Sequence, residues 1–295
     1  MIKGLAITPP VLGRISIGKV IEKNGKRLPE KNDEFTLTTQ VQNKGQWIKH
    51  PLDEELRQGE ASNKLRIIPI RLLFNDPDLN FRANYSMFDH KTGRPVCVGN
   101  GETCKRMTAQ GMVTLPCPSP MACEYGQAGY CKAYGRLNVV IGDEDELGTF
   151  VFRTTGYNSI RTLLSRLHYF SAVSNNQLAS LPLALRIRGK STTQSFRQAI
   201  FYVDITTRPE HSLTQAIAIA TETNLNRQQT GFDQLALDHA AQLGFANGEF
   251  EDTEDEGLEV VEEFYPTSEE TDGIAVQATS SLKQKLQAKD TGATT

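Results

Sequence analysis

The sequence lacks any apolar run of about 18 residues, the length that a membrane-spanning helix needs. The first ten residues also lack the apolar core of a secretory signal peptide. We therefore expect a cytoplasmic protein without a membrane span. Cysteines in that compartment stay reduced, so disulfides are not expected.

Familiar catalytic and nucleotide-binding motifs are also missing. The chain has no G-x-S-x-G, H-E-x-x-H, P-loop or G-x-G-x-x-G pattern. His168 and His239 fall on predicted helices without the partners that a general base needs. The sequence assembles no catalytic site, and we expect a non-enzymatic protein.

Negative charge is scarce in most of the chain and concentrated near its end. Residues 241–295 have thirteen Asp and Glu against three Lys, which gives a formal net charge of −10. The 22 acidic and 29 basic residues of 1–240 give +7. The run from Glu249 to Glu256 is too charged to be buried, so we predict that 246–295 form a disordered acidic tail.

Hydrophobic patterning predicts an α+β body over residues 1–245. Period-two alternation is typical of antiparallel strands, and a helix is predicted after Asn158, with Ile160, Leu163, Leu167 and Phe170 on one face. Ser212 and Gln215 form a candidate capping box for a second helix. The predicted strands are Val11–Ile21, Phe35–Val41, Leu65–Phe74, Phe81–Phe88, Arg136–Ile141, Thr149–Thr154, Leu183–Ile187 and Ile200–Thr206.

All five cysteines lie in one segment of about 95–134, which shows little periodicity and which we interpret as a loop inserted into the body. Such clustering indicates a local cause, and thiolates from two loops satisfy the tetrahedral preference of zinc. Prolines on both sides of Cys117 keep that stretch extended, while Gly126 and Gly129 permit tight turns. The pattern predicts one zinc ion. An iron–sulfur cluster, a redox thiol and a chance cluster of thiols are the alternatives.

Five cysteines compete for four ligand positions. Cys117, Cys123 and Cys131 share one short segment punctuated by Pro and Gly, and are the first choices. For the fourth ligand we favour Cys97, which closes a predicted strand, over Cys104, which follows a turn. Four thiolates leave no position for water, so the predicted site is structural.

A positive surplus lies between residues 151 and 210. Arg186 and Arg188 share one face of a predicted strand, and Lys190 and Arg197 follow closely. Such a surface is suited to phosphate groups, so we predict nucleic-acid contact there. Binding of the protein's own acidic tail, or of a protein partner, is an equally weighted alternative.

Several segments occur in a characteristic order. They are Cys117-Pro118-Ser119-Pro120 through Cys123, then Cys131 to Asn138, then Gly148 to Ile160. Together these segments resemble the phage recombination directionality factor-like family, whose members are often labelled hydrolases or metal-binding proteins. The residues give no support to the hydrolase label.

The resemblance implies a zinc-binding accessory protein of a phage or other mobile element. Family members with established roles bind a large serine integrase and turn it from integration towards excision. We therefore expect a site-specific recombinase or another recombination protein as the partner, with DNA as a further contact. The alternative is a single-strand nucleic-acid-binding recombination protein whose acidic tail recruits partners. Cys104 and the acidic tail depart from the family pattern.

Overall fold

The computed structural model describes residues 10–23, 26–58, 63–143, 148–193, 196–245 and 254–265. These residues form a large, mostly antiparallel sheet with helices packed against it, which confirms the predicted α+β class. The strands are β1 (Val11–Lys23), β2 (Lys26–Asn43), β3 (Gln46–Lys49), β4 (Ile67–Arg71), β5 (Phe81–Phe88), β6 (Pro95–Gly99), β7 (Thr103–Thr108), β8 (Gly111–Pro116), β9 (Lys132–Ile141), β10 (Thr149–Thr154), β11 (Leu183–Ser191) and β12 (Ala199–Thr207). Each predicted strand overlaps one of these.

Helices of the described residues range from single turns to seventeen residues, and none is long and apolar enough to cross a membrane. The predicted capping box is present, because Ser212 Oγ accepts from Gln215 N while Gln215 Oε1 accepts from Ser212 N. The predicted cap at Asn158 is wrong, since the helix already begins at Tyr157. The helices are α1 (Pro51–Gln58), α2 (Pro77–Asn80), α3 (Ser119–Ala122), α4 (Glu124–Gln127), α5 (Tyr157–Val173), α6 (Leu213–Gln229), α7 (Gln234–Phe245) and α8 (Glu254–Phe264).

The strand order along the main path of the sheet is β3-β2-β1-β10-β9-β5-β6-β7-β8. Among the described pairings, β1 with β10 is parallel and the others are antiparallel. The end of β9 also pairs with β4, which leads through β11 to β12. The sheet therefore bends around β9 and encloses a core.

The main core lies between the inner face of the sheet and α5. Alternation turns Leu137 and Val139 of β9 inward together with Phe152 of β10, and all three are fully buried. Leu163 and Leu167 of α5 pack into the same cluster, as the predicted helical stripe requires.

The segment predicted as an inserted loop contains regular structure. It holds strands β6, β7 and β8 in an antiparallel meander, followed by the single-turn helices α3 and α4. The prediction of an irregular loop is wrong, because these strands are only five or six residues long and their apolar residues do not alternate strictly with polar ones. A turn at Gly111, with a φ of 109°, joins β7 to β8.

The prediction that the whole C-terminal part is disordered is wrong for α8. Val260, Val261 and Tyr265 are buried against the sheet, and the Tyr265 hydroxyl donates to Ser86 O at 3.1 Å. Tyr265 follows Val261 by four residues and Val260 by five, and acidic residues lie between them. A prediction based on composition therefore does not detect this apolar face. Residues 246–253 and 266–295 lie outside the described residues.

A buried carboxylate joins α1 to β2. Asp53 is fully buried and accepts from Leu37 N at 2.9 Å and from Arg57 Nε at 2.8 Å. Arg57 also donates to Phe35 O at 2.6 Å. Burial raises the pKa of Asp53, but the hydrogen bonds from Arg57 and Leu37 and the charges of Arg57 and Lys49 outweigh it, so that the pKa lies below its usual value.

We expect Asp53→Asn to lower the free energy of unfolding by about 3 kcal/mol at neutral pH, because it removes the buried carboxylate partner of Arg57 and leaves Glu34 as the remaining one. Since the folded-state pKa is depressed, the contribution of Asp53 is present above its unfolded-state pKa and is lost as pH falls through the folded-state pKa. Urea unfolding at several pH values checks this. Glu55→Gln, an exposed change on the same helix, is the control, and a constant difference between wild type and Asp53→Asn down to strong acid would contradict the argument.

Candidate metal centre

The five cysteines come from separate elements and line one small cavity. Cys97 lies on β6, Cys104 on β7, Cys117 directly after β8, Cys123 between α3 and α4, and Cys131 directly before β9. Other lining residues are Tyr85, Met87, Gly99, Arg106, Pro118, Ser119 and Tyr125. The fold thus gathers every thiol of the chain in one place.

Strand register explains why the thiols of the meander point into this cavity. Cys97 is opposite Arg106 and Gly99 is opposite Cys104, so all four residues share one face of the β6–β7 pair. Gly99 is required there, because an added Cβ would lie 2.7 Å from Cys104 Cβ and 2.9 Å from Cys117 Sγ. The missing side chain makes the room in which the thiols meet.

Turn hydrogen bonds position Cys117. Its N–H donates to Glu102 O at 2.8 Å, so the end of β8 is held against the β6–β7 turn. Within that turn, Asn100 Oδ1 accepts from the N–H groups of Glu102 and Thr103. The flanking prolines keep only part of this stretch extended, because β8 ends at Pro116 whereas Pro118 has a ψ of 14° and Ser119 a φ of 67°.

The second loop brings Cys123 and Cys131 together. Cys123 O accepts from Gln127 N at 2.9 Å, and Cys131 N donates to Tyr125 O at 3.1 Å. Gly129 has a φ of 82°, which favours glycine, and a Cβ on Gly126 would lie 2.2 Å from Pro120 O. Both glycines therefore permit the tight turns that the sequence predicts at these positions.

Electrostatics within the cavity disfavour several ionised thiols at once. Burial, with the nearby Cys97 and Cys117, raises the pKa of Cys104 to about 11. Burial, with Cys97, Cys123 and Cys117, raises the pKa of Cys131 to about 12. Thiolates packed this closely need a cation, and a bound metal ion reverses the shift by stabilising the deprotonated form.

Basic residues near the cavity have different roles. Arg106 Nε lies 3.5 Å from Cys97 Sγ, and its guanidinium is 4.8 Å from the centre of the Tyr125 ring. Lys105 is on the opposite face of β7, and Lys132 is turned towards α8. Of the three cations next to cysteines in the sequence, Arg106 is the one that lines the cavity.

Within the described ranges, no group of three or more His, Cys, Asp or Glu side chains is already arranged to hold a metal ion. The donors are therefore collected in one cavity but do not have ligand spacing. His50 lies outside the cavity, where its ring contacts Phe150 edge-on at 5.0 Å. Asp143 pairs with Arg208 and Arg71, so this acidic loop residue is engaged in ion pairs.

The predicted phosphate-binding residues lie on β11 and just beyond it. Arg188 pairs with buried Asp204 at 3.1 Å, and Arg166 pairs with the same carboxylate at 3.0 Å. Lys190 donates to Asn158 Oδ1 at 2.7 Å. Arg186 is opposite Asp204 in the strand register, and Arg197 follows β11 in a left-handed conformation. Part of the predicted positive surplus is therefore neutralised within the fold.

The aromatic side of the cavity was not predicted from the sequence. Tyr85 and Met87 enter it because they alternate with Ser86 on β5, and Met87 is opposite Cys97. Tyr125 enters from α4. The alternation on β5 can be read from the sequence. The pairing of β5 with β6, which brings Tyr85 and Met87 to the cysteines, cannot.

The described residues define an α+β sheet protein with a thiol-lined meander at one end. A family profile described as Gp3-like, recombination directionality factor-like, matches residues 12–208. The chain therefore belongs to the recombination directionality factor-like family, as the sequence resemblance suggests. No curated protein and no solved structure matches it.

Gly99→Ala should destabilise the protein by about 2 kcal/mol, because its methyl group overpacks the space shared by Cys104 and Cys117. Thermal unfolding measures the effect. Gly189→Ala on β11 is the matched control, since its added Cβ meets only the Phe201 side chain, at 3.3 Å. Equal stability of the two variants would show that the cysteine segments are not packed as described.

Proposed function

We propose that this protein is a non-enzymatic recombination accessory protein that holds one structural zinc ion and acts on a site-specific recombinase. Family membership over residues 12–208 is the observation that carries the accessory role. The collection of five thiols in one cavity supports the metal. The two parts are linked, because the metal would fix the surface that a partner recognises.

Zinc is the metal that the donor set fits best. Thiolate donors are soft and suit zinc, and four of them give a closed site that performs no chemistry on substrates. Cys97, Cys117, Cys123 and Cys131 would hold the ion, joining the meander to the start of β9. Such a cross-link contributes to folding directly, because metal binding and folding are coupled.

Hydrogen bonding supports Cys97 over Cys104 as the fourth ligand. Cys97 Sγ accepts from Arg106 Nε at 3.5 Å, a charged donor that would also stabilise a metal-bound thiolate. Cys104 Sγ instead lies 3.9 Å from Pro116 O, where only a protonated thiol can donate. Cys104 would then remain a neutral neighbour of the site.

Exposed methionines of the β7–β8 hairpin and of α3 would form the recombinase contact. Met107 and Met112 are opposite each other on the β7–β8 hairpin and are 48% and 50% exposed. Met121 on α3 is 88% exposed. Flexible, polarisable methionine side chains adapt well to a partner surface. Strand β8 ends the described sheet order and offers an edge beside them.

Purified protein should contain about one zinc per chain, and Cys117→Ser or Cys131→Ser should lower both metal content and thermal stability. Elemental analysis with thermal unfolding checks this. Cys97→Ser should have a larger effect than Cys104→Ser, which is the internal control. A metal-free, cooperatively folded wild-type protein would refute the zinc assignment, and the reverse order of the last two variants would make Cys104 the fourth ligand.

Mixed with the large serine integrase of its own mobile element, the protein should bind it and promote excision in a purified reaction. Met107→Ser with Met112→Ser should weaken binding about tenfold, a typical loss for residues central to an interface. Affinity measured by biolayer interferometry and the yield of excised product are the two readouts.

Leu235→Ser, at a 78% exposed position on α7, is the control and should change neither readout. No binding at micromolar concentration and no change in reaction direction would contradict the accessory role. Binding that is unaffected by the methionine changes would move the contact elsewhere while keeping the role.

A further inference from the structure

A row of arginines crosses the outer face of the sheet. Arg153 of β10 is directly opposite Arg136 of β9, which is directly opposite Arg82 of β5. Arg14 of β1 is in register with Val151, two residues before Arg153, and therefore shares this face. Four adjacent strands thus contribute one arginine each, on the side opposite the main core. Like charges directly opposite each other are unfavourable, and anions beside them reduce this repulsion.

Aromatic rings lie beside these arginines. The Arg14 guanidinium is 4.1 Å from the centre of the Trp47 ring. Tyr134, two residues before Arg136 on β9, contacts the Phe88 ring at 5.6 Å. We call the surface formed by these four arginines, Trp47, Tyr134 and Phe88 the arginine–aromatic face. A sheet surface with both groups is the arrangement on which single-stranded nucleic acids bind, with phosphates on cations and bases on rings.

Helix α8 covers this face with negative charges. Glu259 and Glu263 pair with Arg14 at 3.3 and 2.5 Å. With α8 in place, Arg14, Arg136 and Arg153 are only 7–8% exposed. These two carboxylates, one helical turn apart, thus occupy the position on the arginine–aromatic face where the anionic groups of a ligand would bind.

The same helix also supplies rings. The Phe264 ring lies 6.1 Å from the Tyr134 ring, and the Tyr265 ring lies 5.2 Å from the Phe88 ring. Helix α8 therefore presents to this face the two chemical groups that a nucleotide strand presents, an anion and a flat ring.

The helix is attached in a way that permits release. It lies outside the matched residues 12–208, whereas the four arginines lie inside them. Burial raises the pKa of Glu263, only partly offset by Arg14 and Arg153, so docking of this carboxylate is costly. Helix α8 belongs to none of the strand pairings, and it is held by the buried side chains of Val260, Val261 and Tyr265 and by a close backbone contact between Gly257 and Gly93.

We propose that the arginine–aromatic face binds single-stranded nucleic acid, and that α8 is the built-in competitor that must leave before binding occurs. This activity goes beyond the accessory role and depends neither on zinc nor on a recombinase.

The test uses the full chain and a fluorescein-labelled oligothymidylate of about 20 nucleotides, with affinity measured by fluorescence anisotropy. Glu259→Gln with Glu263→Gln should bind at least about tenfold more tightly than wild type at about 50 mM salt. Affinity should fall steeply towards about 200 mM salt, because phosphate contacts release counterions. Hydrogen exchange of 254–265 reports whether α8 has left the face.

Two further variants distinguish an effect of α8 release on affinity from an effect of net charge. Glu222→Gln with Glu262→Gln changes net charge equally at exposed positions and should leave affinity unchanged. Val260→Asp places a charge in the fully buried contact, adds negative charge, and should still tighten binding by releasing α8. Adding Arg82→Gln to either released variant should reverse the gain, with thermal unfolding confirming that the body stays folded.

Three results would overturn the proposal. Tighter binding by the exposed double variant would show a general charge effect. Released variants without oligonucleotide affinity at low salt would exclude nucleic acid as the ligand. If such variants instead bind a peptide of residues 254–265 added separately, the face is a site for an acidic helix of a protein partner.

Discussion

Strand β9 pairs with β10 and β5 along its length and with β4 at its end, and the other parts of the molecule are positioned by these pairings. Its inward side chains Leu137 and Val139 fill the main core, while Tyr134 and Arg136 face outward. Cys131 immediately precedes it. One ten-residue strand thus connects the core, the cysteine cavity and the arginine–aromatic face.

The cysteine cavity and the arginine–aromatic face lie on opposite sides of the same strands. On β5, Met87 faces the cavity with Cys97, whereas Ser86 faces α8 through its carbonyl contact with Tyr265. A change in how the strands pair at β5 and β6 would therefore affect both surfaces.

The sequence was informative where a pattern depends on neighbours in the chain. Alternation predicted β5 and β10 with the bounds that the structure has, and the Ser212 capping box was readable from two residues. The cysteine cluster was recognisable because all five thiols occur in one short segment, which the fold then brings together. What depends on the pairing of distant strands was not readable. The arginine row needs the register of Arg153, Arg136 and Arg82, and no local signal encodes it.

Arg14 and its partners Glu259 and Glu263 are separated by 245 and 249 residues, so the first strand is in contact with the last described helix. Strand β1 also needs β10, made more than a hundred residues later, as its parallel neighbour. During synthesis the N-terminal hairpin therefore cannot pair with β10 until about half of the chain has been made. Contacts of such long sequence separation form slowly. Helix α8 leaves the ribosome after all strands of the sheet have been made. The arginine–aromatic face is consequently uncovered in every nascent chain before the helix that closes it exists.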